Sequence, residues 1–342
     1  MPSLEVVPVR LRLRSPLRTA WGELTERELL RVRLRWADGD EGLGEAAPLE
    51  PYDGVPLAAV AAALDAYAAV LRDAPAGAEP GELLAACAAE RPLPQALAAI
   101  DLALWDRAGR RTGRPVAHLL AAGAATAVPV NATLGAEDRA GAASAAAAAA
   151  AAGYGCVKVK VGVGDDAGRV AAVRAAAGPG VAIRVDANGA WSSVGEALAN
   201  LRALAPSGIE YAEEPVHGIE ALAAVRADSP VPVAMDETAA EPGAPGAGAA
   251  DAICLKIARC GGISGLLRDA AAARTAGSEV YVASSFDGPL GTAAGLHAAA
   301  ALAATRPVPP CGLATLGMFE GLDGVLAPRD GAIAVPAGPG LL

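Results

Sequence analysis

Of the 28 basic side chains in this 342-residue chain, only Lys158, Lys160 and Lys256 are lysines; the rest are arginine. A guanidinium stays charged at every working pH, whereas a lysine amine can be lowered far enough to take a proton. Positions that stay lysine against such a bias are candidates for chemistry that arginine cannot perform. Their contexts, Val157-Lys158-Val159-Lys160-Val161 and Ile253-Cys254-Leu255-Lys256-Ile257, are apolar and strand-like. Residues i and i+2 of a strand share a face. Two ammonium groups so placed lower each other's pKa, which leaves one of them available as a neutral base.

Three carboxylates have the spacing to join them. Short apolar runs end in Val185-Asp186, Ala212-Glu213 and Met235-Asp236, at intervals of 27 and 23 residues, each about one βα unit. In parallel α/β folds the active site lies at the carboxyl ends of the strands. Three such acids in one mouth repel, and a divalent cation removes the problem. Oxygen ligation suits Mg²⁺, with Mn²⁺ able to substitute. Lys256 ends a later strand, almost across the barrel from Lys160. A carboxylate substrate held on the cation would present its α-carbon between the two amines. One lysine would remove the α-proton, while the metal and the other stabilise the enediolate charge.

The elements that must position these residues are legible in the pattern. Leu4 to Arg14 and Glu28 to Trp36 alternate apolar and charged residues, as half-buried antiparallel strands do, and helical patterns follow at Leu57 to Leu71 and Gln95 to Gly109. From about Val128 the chain alternates strands with Ala/Leu-rich helical stretches. Strands are expected at Val128–Thr133, Cys156–Val161, Val181–Asp186, Ile209–Glu213, Val231–Asp236, Ala252–Ile257, Glu279–Ala283 and Cys311–Thr315. That alternation predicts an α/β fold: a (β/α)7β-type TIM barrel with an N-terminal α+β capping domain. The expected division is 1–120 for the cap, 121–315 for the barrel, and 316–342 as a segment returning to the cap.

Composition narrows the class. With 53% hydrophobic residues the chain can bury a large core, and a net charge of −10 argues against nucleic acid as partner. The longest alanine run, Ala145 to Ala152, is far short of a bilayer span. The five cysteines lack zinc-type spacing and no leader pattern opens the chain, so a cytoplasmic location is expected.

Lys158-Val159-Lys160, Arg184-Val185-Asp186-Ala187-Asn188-Gly189-Ala190-Trp191, Ala212-Glu213-Glu214-Pro215, Met235-Asp236-Glu237-Thr238 and Leu255-Lys256-Ile257 resemble the enolase superfamily. Within it they look like the muconate-lactonizing subgroup, and Gly42-Leu43-Gly44-Glu45-Ala46-Ala47-Pro48 extends the likeness into the capping region. The resemblance implies Asp186, Glu213 and Asp236 as metal ligands, Lys160 as principal base, Lys158 tuning it, and Lys256 as the opposite acid/base or enediolate stabiliser. Asn188 would line the site. Ser284 to Thr292, with Ser285 and Asp287, resembles the seventh-strand segment of o-succinylbenzoate synthases and points to substrate contacts there. From the cap, Trp21 and Tyr52 would either close over a substrate ring or pack against the barrel rim.

The implied partner is a small-molecule carboxylate, with no nucleic acid and no membrane; assembly as a homo-oligomer is left open. The lean is to an o-succinylbenzoate synthase-type dehydration in menaquinone biosynthesis. Muconate cycloisomerase, dipeptide epimerase and N-succinylamino acid racemase activities share the same first step. An NAD-binding oxidoreductase is the rival from another class. Gly162-Val163-Gly164-Asp165-Asp166-Ala167-Gly168 follows a strand, but its two aspartates would repel a pyrophosphate.

Overall fold

In the computed structural model, residues 2–19, 22–75, 77–135 and 138–342 are described. Alternating apolar and charged side chains make β1 (Ser3–Thr19) and β2 (Gly22–Arg35), which pair antiparallel with Val6 opposite Val32. β3 (Glu41–Ala46) joins the other side of β2. A short α1 (Glu50–Asp53) leads into α2 (Leu57–Asp73), α3 (Pro80–Glu90), α4 (Pro94–Thr112) and α5 (Val116–Leu120). Val32, Leu34, Leu64, Tyr67 and Ile100 form the core between sheet and helices. Glycine matters where α4 meets β3. A Cβ on Gly44 would lie 1.9 Å from the Ala99 carbonyl oxygen, so only a bare backbone admits the helix.

β4 (Ala127–Pro129) precedes a repeating unit: β5 (Ala132–Leu134), α6 (Arg139–Ala151), β6 (Cys156–Lys160), α7 (Asp166–Ala177), β7 (Ala182–Asp186), α8 (Val194–Leu204), β8 (Ile209–Glu213) and α9 (Ile219–Asp228). It continues through β9 (Val233–Met235), β10 (Ala252–Leu255), α10 (Ile257–Cys260), α11 (Ile263–Thr275), β11 (Glu279–Val282) and α12 (Pro289–Ala303). β5 to β11 form one parallel seven-stranded sheet in sequence order, curled with its helices outside as expected.

Two expected strands come out differently. The first divides: β5 pairs with β6, whereas β4 pairs antiparallel with the late strand β12 (Ala332–Ala334). The eighth, at Cys311–Thr315, shrinks to two bridging residues. Cys311 bridges Val130 and Gly312 bridges Ala283, joining the two ends of the sheet. Pro309 and Pro310, which carry no N–H, precede it, and the Thr315 amide turns back to Leu313, so no ladder extends either way. The chain's last residues lie on α4, where Asp106 accepts the Leu341 amide at 2.9 Å.

Candidate active site at the barrel mouth

Strand register builds the site. Lys160 pairs with Asp186, and Asp186 with Glu213, across β6, β7 and β8. β9 stops at Met235, with Asp236 next along the chain, and Lys256 follows the end of β10 with extended backbone. Alternation puts Lys158, Arg184 and Tyr211 one layer deeper on the same interior face.

The structure brings the three acids and both ion-pairing lysines together. Asp186, Glu213 and Asp236 are all buried. Lys158 Nζ donates to Glu213 Oε1 at 2.7 Å and lies 2.9 Å from Asp186 Oδ2, and Lys256 Nζ donates to Asp236 Oδ1. Ligand-type atoms of Glu213, Asp236 and Cys254 lie within 4.8 Å of one another, as do those of Glu214, His217 and Glu237; Asp186 joins the first set through Lys158. Burial pushes the Cys254 thiol well up, and a hard divalent cation prefers the carboxylate oxygens to sulfur.

Burial and mutual repulsion set the charges. Burial raises Glu213 to about 7; Lys158 pulls it back, while Asp186 and Asp236 push it further up. Burial would raise Asp236 too, but Lys256 and Lys158 hold it below the usual carboxylate range. Burial works against the charged amines of Lys158 and Lys256. Asp186 and Glu213 around the first, and Asp236 beside the second, nonetheless lift both well above an ordinary lysine. Lys160 goes the other way. Burial lowers its amine, with the charge of Lys158 adding to the effect, and Asp186 and Glu237 do not offset it. Among the described residues Lys160 enters no ion pair. Three buried carboxylates in mutual repulsion are a donor set that a hard divalent cation suits.

The residues around this core hold it in place. The Asn188 amide donates to Asp186 Oδ1 at 3.0 Å, and its side chain bonds Asp186 Oδ2 and Glu237 Oε1, both at 3.2 Å. Tyr52 reaches inward with its hydroxyl instead of resting on the rim. It donates to Asp236 Oδ1 at 3.0 Å and accepts from Lys256 at 2.8 Å and Arg259 at 2.7 Å. Trp21 lies outside the described residues. Ser285 and Asp287 are buried in the loop after β11. Burial pushes Asp287 up to about 6, with Arg27 and Lys256 pulling it back.

Sequence reasoning missed Glu214, Glu237, Arg259 and Tyr281. The acid doublets Glu213-Glu214 and Asp236-Glu237 carried a signal, because consecutive strand residues cannot both face inward. Glu214, fully buried, accepts the Asp236 amide at 2.8 Å and the Thr238 amide at 3.0 Å, which fixes the turn after β9. The glycine loop is no phosphate cradle. Asp166 takes the Gly162 amide at 2.7 Å, and Asp165 pairs with Arg139.

The model for the enolase C-terminal domain-like family matches residues 141–341, and that for the mandelate racemase / muconate lactonizing enzyme N-terminal domain matches residues 1–121. The chain belongs to the enolase superfamily. Within the superfamily it carries the mandelate racemase/muconate lactonizing pair of domains. An o-succinylbenzoate synthase of Mycolicibacterium smegmatis is 42% identical over 184 residues, covering 51% of this chain and 54% of that protein. An N-succinyl-L-Arg/Lys racemase of Bacillus cereus is 31% identical over 220 residues, covering 60% of this chain and 58% of that protein. The chain thus spans little more than half the length of these curated relatives. Muconate lactonizing enzyme from Pseudomonas fluorescens, solved with muconolactone, superposes with a TM-score of 0.89 at 29% identity, covering 99% of this chain and 95% of that one. No described helix is long and apolar enough to cross a membrane.

Proposed function

We propose that this superfamily member uses Mg²⁺ to remove the α-proton of a small carboxylate substrate and dehydrates the resulting enediolate, the o-succinylbenzoate synthase reaction. The observation that carries the reading is the contrast between the lysines at one acid cluster: Lys160 is lowered and outside the ion pairs, while Lys256 is held charged. The likeness to the 42%-identical synthase supports dehydration as the outcome.

Asp186, Glu213 and Asp236 would hold the ion, which when bound supplies electrophilic stabilisation of the substrate carboxylate. Lys160 takes the α-proton, its amine lowered chiefly by burial, with the charge of Lys158 adding to the effect. Lys256, protonated by virtue of Asp236, offers a fixed positive charge to the enediolate. As the electron pair returns to form the ring double bond, the β carbon–oxygen bond breaks. The proton on Lys160, on the same face, goes to the departing hydroxide, so one water leaves and the base is restored. In this reading the cap (1–120) closes over the substrate, the barrel (121–315) carries the chemistry, and 316–342 ties the two together. It also takes the protein as cytoplasmic, in keeping with five cysteines that are all free thiols.

The racemase relative favours a second reading, α-proton exchange without dehydration. Incubation with Mg²⁺ and the cyclohexadiene carboxylate of the menaquinone route, followed by ultraviolet absorbance, tests the first. Aromatic product is expected. Its absence, together with deuterium uptake at the α-carbon of N-succinyl-L-arginine in D₂O, would overturn dehydration and support racemisation.

A further inference from the structure

Glu213 uses both oxygens. Oε1 accepts from Lys158, while Oε2 accepts at 2.7 Å from the hydroxyl of Tyr281. Tyr281 belongs to β11, three places along the sheet from β8, so its phenol crosses the barrel interior to reach that carboxylate. The ring cannot swing away. It stacks on Tyr211 with centroids 5.6 Å apart, and the Arg184 guanidinium lies 4.4 Å from the Tyr211 ring and 5.1 Å from the Tyr281 ring. Arg184 is itself held by Glu210 at 2.6 Å and by the Pro310 carbonyl. The stack forms a closed floor beneath the acids, with Arg184 wholly buried. Tyr211 makes an internal control, since its hydroxyl is buried in the same stack with no hydrogen-bond partner.

We infer that Tyr281 is a positioning residue for the metal site: from the far wall of the barrel it fixes the Glu213 carboxylate, leaving the other oxygen turned toward Lys158 and Asp186. The inference rests on the proposed role of Glu213 as a metal ligand. A donor holding a ligand carboxylate is worth about 10–100-fold in metal affinity. Phenylalanine fills the same space as tyrosine without donating, so Tyr281→Phe deletes the bond and keeps the stack.

The test is titration of the purified full chain with Mn²⁺ alone, read by electron paramagnetic resonance, with thermal midpoints taken alongside. Tyr281→Phe is expected to weaken Mn²⁺ binding about tenfold or more, whereas Tyr211→Phe, in the same stack, stays within about twofold. Glu213→Gln separates the two ideas. If Glu213→Gln weakens binding while Tyr281→Phe does not, the positioning role is overturned and the metal site stands. If Glu213→Gln leaves binding unchanged, the metal site falls and the inference with it. Equal weakening by the two tyrosine variants, following their loss of stability, would reduce Tyr281 to a packing residue.

Discussion

At the scale of single residues, the chemistry turns on how differently three lysines are treated by one group of acids. Lys158 and Lys256 are committed to carboxylates and stay charged, and Lys160, outside those pairs, is the base of the proposed reaction. Lys160→Arg keeps the charge but supplies no base at accessible pH. We expect it to slow α-proton exchange about 10²–10⁴-fold while leaving Mn²⁺ affinity within about threefold, which exchange in D₂O and metal titration would check. A fast Lys160→Arg enzyme would remove the assigned base. Asn188→Ala, which removes the side-chain hydrogen bonds to Asp186 and Glu237 but keeps the backbone one, should instead weaken Mn²⁺ about tenfold. The lysines and the three acids were legible because each ends an apolar strand run, and few other residue types make sense there. Glu214 was not, because its work is to hold backbone amides, and the sequence carries no mark of which of two adjacent glutamates turns outward.

Among the elements, legibility followed hydrogen-bond pattern. Six strands of the sheet, β6 to β11, announced themselves as apolar runs spaced by helices and lie in sequence order, whereas the first expected run, Val128–Thr133, splits between β4 and β5. The eighth failed because a proline pair and a backward turn leave it two residues to pair with, something hydropathy alone does not register. Tyr281 escaped for another reason. On β11 it reads as an ordinary apolar strand residue, and only the curl of the sheet aims it at Glu213. The cap shows how local composition sets packing. α4 rests on the bare backbone of β3 at Gly42 and Gly44, so Gly44→Ala would drive a methyl into the Ala99 carbonyl. A loss of about 3 kcal/mol or more is expected in urea unfolding, since neither backbone can retreat without unpacking the other. Unchanged stability in Gly44→Ala would mean that helix and strand slide apart more easily than their contacts suggest.

For the molecule as a whole, the joint between cap and barrel is titratable. Glu45 on β3 accepts the amides of Gly288, at 2.7 Å, and Gly291, at 3.3 Å, in the first turn of α12. Burial pushes it up to about 7, and Asp287 across the joint pushes the same way. A carboxyl that holds its proton longer when folded adds stability that is complete below the ordinary glutamate range, near 4.5, and is lost as pH climbs through about 7. Glu45→Gln cannot lose a proton, so relative to the parent it should gain stability between pH 5 and 8, by up to about 3 kcal/mol. Parallel unfolding curves at the two pH values would show the gain, and a constant difference would count against it. The ring itself is uneven. Asp186, Glu213 and Asp236 come from consecutive β7, β8 and the end of β9, whereas among the described residues the stretch between β11 and β5 is bridged only through Cys311 and Gly312. Such a wall yields first along its stitches. Substitutions on that flank would leave untouched the register that sets Asp186 beside Glu213, so a mouth reshaped there would keep its acids in step.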